Sequence, residues 1–170
     1  VESPTLFSEL LPEAVAYVRV PRFSSGTAER LSRVLGDFGK RGGGLKGFIL
    51  DLRGNSGGLL EEAVRVVDLL VDDTAPPIVS QVSGGGRPGR EFHATAGRLI
   101  TCPTIVLVNG WSASASEVVA GALQDFKKAV ILGTRTYGKG VSQRRLDVPP
   151  SVERLVGGKA SVQLANFYLQ

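Results

Sequence analysis

The chain has one cysteine, one histidine, one tryptophan and no methionine among its 170 residues, and each scarcity closes off a class of function. Cys102 alone can form neither an internal disulfide nor a cysteine-cluster metal site. Standing before Pro103, it reads as a small buried residue at a strand start. His93 alone removes most histidine-based metal sites, and any Ser-His-Asp triad would have to run through it. It lies in "GRPGREFHATAG", a polar, glycine-rich stretch that reads as a solvated loop. No run of about eighteen apolar residues occurs, so no segment is predicted to cross a membrane as a helix. Clustered charge is missing too. The formal net charge is +4, but the longest basic runs are Lys127–Lys128 and Arg144–Arg145. A nucleic-acid groove would gather them on one element and interleave aromatics, so nucleic acid is not an expected partner. Starting at Val1 without methionine, the chain is expected to be a processed or excised piece. The lack of a leader segment then says nothing about compartment.

What is present is ordinary globular material. Apolar residues make up 42% and charged residues 21%, so the chain is expected to fold and bury a core. "AVAYVRV" (14–20) alternates apolar and polar with β-branched residues and reads as a strand. Leu31, Val34, Leu35 and Phe38 fall on the stripe of an amphipathic helix. Ser24, Ser25 or Thr27 would cap that helix, and the glycines of 42–44 would end it. "LKGFILDLR" (45–53) is nearly continuous in apolar residues, as expected of a strand covered on both faces. After "GNSGG", "LLEEAVRVVDLLVDD" places Leu59, Ala63, Val66, Val67 and Leu70 on one helical stripe. "PIVSQV" (77–82) reads as a short strand and "SGGGRPGR" as a loop. "TIVLVN" (104–109) reads as a second buried strand running straight into a helix over roughly 112–127. "AVILG" (129–133) and the alternating tail "ASVQLANFYL" are further strands, with "TRTYGKGVSQ" a loop after the first of them.

Strands alternating with helices predict an α/β fold with a mainly parallel sheet joined by right-handed crossovers and flanked by helices. No repeat or shift of composition marks a second domain, so residues 1–170 are expected to form a single domain. In such sheets the working loops gather at the carboxyl ends of the strands. Here "RGNSGG" and "GWSASAS" leave the two buried strands, both rich in small residues and both opening a helix.

Glycine lets backbone approach a ligand closely, and unpaired N–H groups at a helix start favour an anion or oxyanion. Gly54, Gly57 and Gly58 give G-x-x-G-G rather than the G-x-G-x-x-G of dinucleotide sites, and no P-loop lysine follows. The stretch is a phosphate cradle or a tight βα turn. Asp51 and Arg53 flank it and are expected to pair with each other or with loop backbone. In the other loop Ser112, Ser114 and Ser116 alternate. A serine in the first turn of a helix has the positive dipole end beside it, yet it needs a base to become a nucleophile. With His93 badly placed, the base is a carboxylate or a lysine. A lysine serves only where burial or nearby positive charge lowers its pKa. Lys139, boxed by Gly138 and Gly140 after the strand at 129–133, can lie against neighbouring backbone. An ordinary loop lysine would instead be solvated.

Three stretches together resemble the carboxyl-terminal processing peptidases, the tail-specific serine proteases with a Ser-Lys pair. They are "GFILDLRGNSGGLLEEAVRVVDLLV", "TIVLVNGWSASASEVVAGALQDFKKAVILGTRTYGKGVSQ" and, more weakly, "AYVRVPRFSSGTAERL". The resemblance implies a ClpP/crotonase-like fold of ββα repeats and a serine endopeptidase acting near protein C-termini through an acyl-enzyme. It implies Ser114 of "SASASE" as nucleophile, with Ser112 and Ser116 capping and packing in a helix that they share one face of. It implies Lys139 of "YGKG" as base, and Gln143, four residues on, as the group that holds the lysine amine. The oxyanion hole would combine the N–H of Ala115 with that of Gly58, Gly57 being the second choice. No metal or organic cofactor is implied. The partner is a protein or peptide substrate, presented by its C-terminal segment, and a homo-oligomer stays open. Trp111 stands where the family usually has a small or polar residue, and is expected to narrow a specificity pocket. A PDZ-like substrate-binding domain is expected elsewhere in the longer protein. The implied location is extracytoplasmic: periplasm, cell envelope or organelle lumen. Two other readings remain at this point. One is a binding or scaffold module without proteolysis. The other is acyl-CoA chemistry of crotonase type, which generally uses carboxylate bases.

Overall fold

A computed structural model describes residues 6–41, 43–83, 86–95, 98–147 and 161–169. Gly42, Gly84, Gly85, Ala96, Gly97 and Ala160, within stretches read above from the sequence, lie outside them. The chain divides into two compact units, Val1–Val79 with Glu91–Lys139, and Ser80–Arg90 with Gly140–Gln170. The strands, in chain order, are β1 (Phe7–Leu11), β2 (Val15–Arg19), β3 (Gly47–Asp51), β4 (Val79–Ser83), β5 (Pro88–Phe92), β6 (Thr104–Val108), β7 (Val130–Gly133), β8 (Val141–Asp147) and β9 (Ser161–Leu169). The helices are α1 (Thr27–Arg41), α2 (Leu60–Asp68) and α3 (Ala115–Asp125).

The first unit carries the sheet β1-β2-β3-β6-β7. Its β2–β3, β3–β6 and β6–β7 pairs are parallel, and only β1, which the periodicity did not reveal, runs antiparallel. The crossovers through α1, α2 and α3 all step in one direction along the sheet. Right-handed crossovers that step one way set their helices on one face, and α2 accordingly packs against both α1 and α3. Ala16, Val18, Phe48, Leu50, Val106 and Val108 are buried. Tyr17, Ile49, Ile105 and Leu107, on the opposite face, are only half-buried. The apolar runs at 45–53 and 104–109 therefore do not mark strands covered equally on both faces, because the three helices lie on one side.

On α1, Leu31 and Leu35 are buried and Val34 and Phe38 half-buried, as the stripe requires. None of the three expected residues caps it through its side chain. The Ser24 N–H donates to Thr27 Oγ1 and the Thr27 hydroxyl donates back to the Ser24 carbonyl, a closed local loop. The helix start is instead held from outside. Buried Glu62 of α2 accepts the N–H of Gly26 at 3.1 Å and of Ala28 at 2.9 Å, which places negative charge at the positive end of α1.

The helix over 59–73 stops at Asp68, because the Leu69 carbonyl accepts the N–H groups of Leu99 and Ile100. Leu59 precedes the helix in extended conformation and is exposed, so it leaves the buried stripe. The helix over 112–127 is shorter at both ends. Ser114, at φ 55°, breaks it before Ala115, and Lys127, at φ 54°, reverses the chain after it.

The second unit carries the sheet β5-β4-β9-β8. Within the stretch read as a loop at 83–90, β5 begins at Pro88, and the loop at 134–143 gives way to β8 at Val141. The tail is β9, antiparallel to β8 and to β4.

Glu62→Ala leaves two backbone donors without their acceptor. It should lower stability by about 2 kcal/mol, read as a shift of the urea midpoint. Arg65→Ala removes only the exposed partner of Glu62 and should change stability by less than about 0.5 kcal/mol.

Candidate active site

β3 and β6 are parallel neighbours with Asp51 opposite Leu107, so the loops that follow them leave the same edge of the sheet side by side. Polar bonds lock these loops together. The buried Ser112 hydroxyl donates to the Leu52 carbonyl at 2.8 Å and accepts the Asn109 N–H at 3.0 Å. The buried Ser116 hydroxyl donates to the Asn55 carbonyl at 2.9 Å, which also accepts the Ala113 N–H at 3.0 Å. Asn109 Oδ1 accepts from Gly54 and Trp111, one residue in each loop. Buried Asn55 donates to the Val20 carbonyl and accepts the Gly57 N–H, fixing the glycine turn from inside. Asp51 and Arg53 pair as expected, at 2.8 Å, with the Tyr17 hydroxyl also donating to Asp51. Burial pushes the Asp51 pKa up, but the bonds from Arg53 and Tyr17 outweigh it and hold the carboxyl below its usual range.

Ser112 and Ser116 thus pack as expected, yet they do not share a helical face or cap the helix, since α3 starts at Ala115. What sets Ser114 apart is its backbone, φ 55° and ψ −115°, a region L residues enter only when the surroundings force it. The strained turn leaves Ser114 half-buried between two fully buried serines.

The N–H groups of Ala115, which follows Ser114, and of Gly58, which follows the Gly57 packed against Ser114, take no hydrogen-bond partner among the described residues. The Gly57 N–H is taken by Asn55 Oδ1 at 2.8 Å, so of the two glycines Gly58 keeps the available donor. Both positions need glycine. A Cβ on Gly57 would come within 2.9 Å of Ser114 Cβ, and one on Gly58 would collide with the Phe23 carbonyl.

Lys139 is joined to Ser114 by a residue to which the motif reading gave no role. The Glu117 carboxylate accepts the N–H of Ser114 at 2.8 Å, of Gly138 at 2.6 Å and of Lys139 at 2.8 Å. Ser114 and Lys139 share the same oxygen, Oε2. Burial works to raise the Glu117 pKa, but bonds from Gly138, Thr136, Ser114 and Lys139 prevail and the carboxyl titrates below its ordinary value. The Ser-x-x-Glu spacing of Ser114 and Glu117 is a capping-box signature and was the available signal. Tyr137 also donates its N–H to the Ser112 carbonyl at 3.0 Å, a second bond between the lysine and serine loops.

Gln143 lies in the second unit, on β8 opposite Ala165, at an irregularity of register next to Ser142. The His93 ring faces the Thr74 carbonyl and the Glu91 carboxylate rather than a serine. Burial pushes the half-buried Cys102 thiol up. Among the described residues no three His, Cys, Asp or Glu side chains are grouped to hold a metal ion.

Residues 14–169 match the family model described as peptidase family S41. The carboxy-terminal processing protease CtpA of Bacillus subtilis is 35% identical over 139 residues, which are 82% of this chain and 29% of that protein. A carboxy-terminal-processing protease of Bartonella bacilliformis is 42% identical over 132 residues, 76% of this chain and 30% of that protein. The fold is similar to the solved photosystem II D1 C-terminal processing protease, at 31% identity and TM-score 0.80, covering 100% of this chain and 44% of that one. The chain thus spans about three-tenths of the length of the curated relatives it matches.

Glu117→Gln keeps the shape and removes the charge. With the folded pKa below the ordinary 4.5, the carboxylate's contribution is complete above the unfolded value and is lost as pH falls through the folded one. The native chain should exceed Glu117→Gln in stability by about 2 kcal/mol at neutral pH, and urea melts across pH should show the gap closing in acid.

Proposed function

The chain belongs to peptidase family S41, and from that premise we propose that it is the catalytic core of a serine endopeptidase cleaving proteins near their C-terminus. Ser114 is the nucleophile and Lys139 the base. The neutral Lys139 amine takes the Ser114 hydroxyl proton while Oγ attacks the scissile carbonyl carbon. The oxygen that gains charge is met by the N–H groups of Ala115 and Gly58, and losing one such donor raises the barrier by about 3 kcal/mol. Collapse breaks the C–N bond, and the Lys139 ammonium returns its proton to the leaving amine. Water, deprotonated by the same lysine, then cleaves the acyl ester and frees Ser114. No metal or organic cofactor enters these steps, and the protein works outside the cytoplasm.

The observation that carries this reading is Glu117. One carboxylate binds the backbone of the proposed nucleophile and of the proposed base, and so fastens their two loops to each other. The two unpaired N–H groups of Ala115 and Gly58 support the oxyanion site.

Intact-mass labelling with a serine-reactive organophosphonate tests the proposal. One adduct is expected on the native chain and none on Ser114→Ala. Lys139→Ala should label at least about a hundredfold more slowly. No adduct on the native chain even at alkaline pH would instead favour a scaffold that keeps the fold without proteolysis.

A further inference from the structure

Among the described residues seven large apolar side chains are exposed, and three of them, Leu59 (47%), Trp111 (73%) and Tyr137 (66%), belong to the three loops of the candidate site. Scattered exposed apolar residues are ordinary, but large ones gathered around one site mark a surface that something covers. Leu59 directly follows Gly58, Trp111 precedes Ser112, and Tyr137 stands two residues before Lys139.

The placement of the two aromatics is enforced. Trp111 sits in a turn closed by the Ser112 N–H on the Asn109 carbonyl at 2.8 Å, and its own N–H is held by Asn109 Oδ1 at 3.1 Å. The Tyr137 N–H is held by the Ser112 carbonyl at 3.0 Å. The Trp111 backbone is therefore held by Asn109 and the Tyr137 backbone by Ser112, yet neither side chain is drawn into the core. A turn that needed only a polar, solvated residue gains nothing from an indole. Trp and Tyr offer large apolar area at little conformational cost, which is why they dominate recognition surfaces.

We infer that Trp111 and Tyr137 form an apolar rim that selects substrates with an apolar or aromatic side chain just after the scissile bond. The side follows from the chemistry of the proposed reaction, on which the inference rests. The lysine that protonates the leaving amine draws the released segment toward its own loop, and Tyr137 is in that loop. A charged side chain there would lose water without gaining a partner and would be discriminated against.

Trp111 is the only tryptophan, so its emission reports on the rim alone. In the Ser114→Ala variant, a peptide with Leu just after the bond should shift or quench the emission, whereas the same peptide with Asp there should not. In the native chain, Trp111→Ala should lower the Leu-over-Asp ratio of kcat/KM about tenfold, the loss lying in KM, and Trp111→Phe should restore most of it. Equal emission changes with both peptides, or a ratio unmoved by Trp111→Ala, overturns the rim. Organophosphonate labelling of the native chain reports separately on the Ser-Lys reading, so failure of one is distinguishable from failure of the other.

Discussion

Glu117 accepts three backbone N–H groups, from Ser114, Gly138 and Lys139, and the geometry of the candidate site depends on that convergence. Bonds to backbone fix where a loop runs without drawing on the side chains of the residues bonded, so Glu117 sets the course of the Ser114 turn and of the Lys139 loop through their main chains alone. Because Glu117 lies in the first turn of α3, the Ser114 turn, the helix start and the lysine loop are fastened as one body. A carboxylate suits the task better than an amide. It accepts several donors at once, each bond is charge-assisted, and it lies beside the positive end of the helix.

Ser112, Ser116 and Asn55 do for the glycine loop what Glu117 does for the lysine loop. Each is fully buried: Ser112 and Ser116 donate to backbone of the glycine loop, and Asn55 bonds the Val20 carbonyl and the Gly57 N–H. Buried polar atoms in such numbers are tolerable only when satisfied. The small side chains are what allow the loops to approach closely enough for that.

Much of this was legible in the sequence because it rests on local pattern. The strands at 14–20, 104–109 and 129–133 follow from alternation and apolar runs, and the convergence of two glycine- and serine-rich loops follows from parallel topology. Glu117, Asn55 and Asn109 were not legible as cross-links, since their partners are distant in the chain and nothing in composition announces them. The same holds for Glu62, whose contacts with Gly26 and Ala28 cross from one helix to the next. β1, β5 and β8 escaped because edge and hairpin strands carry weak periodicity. The half-open face of the main sheet escaped because an apolar run cannot report which side the helices take.

Ser114 sits at φ 55° and ψ −115°, a conformation in which glycine is at ease and any side chain costs about 1–3 kcal/mol. A chain shaped only to fold would relieve that strain by placing glycine there, since Ser112, Ser116 and Glu117 hold the turn without the Ser114 hydroxyl. Ser114→Gly would therefore relax the turn, and the same change would remove the hydroxyl on which the proposed reaction depends.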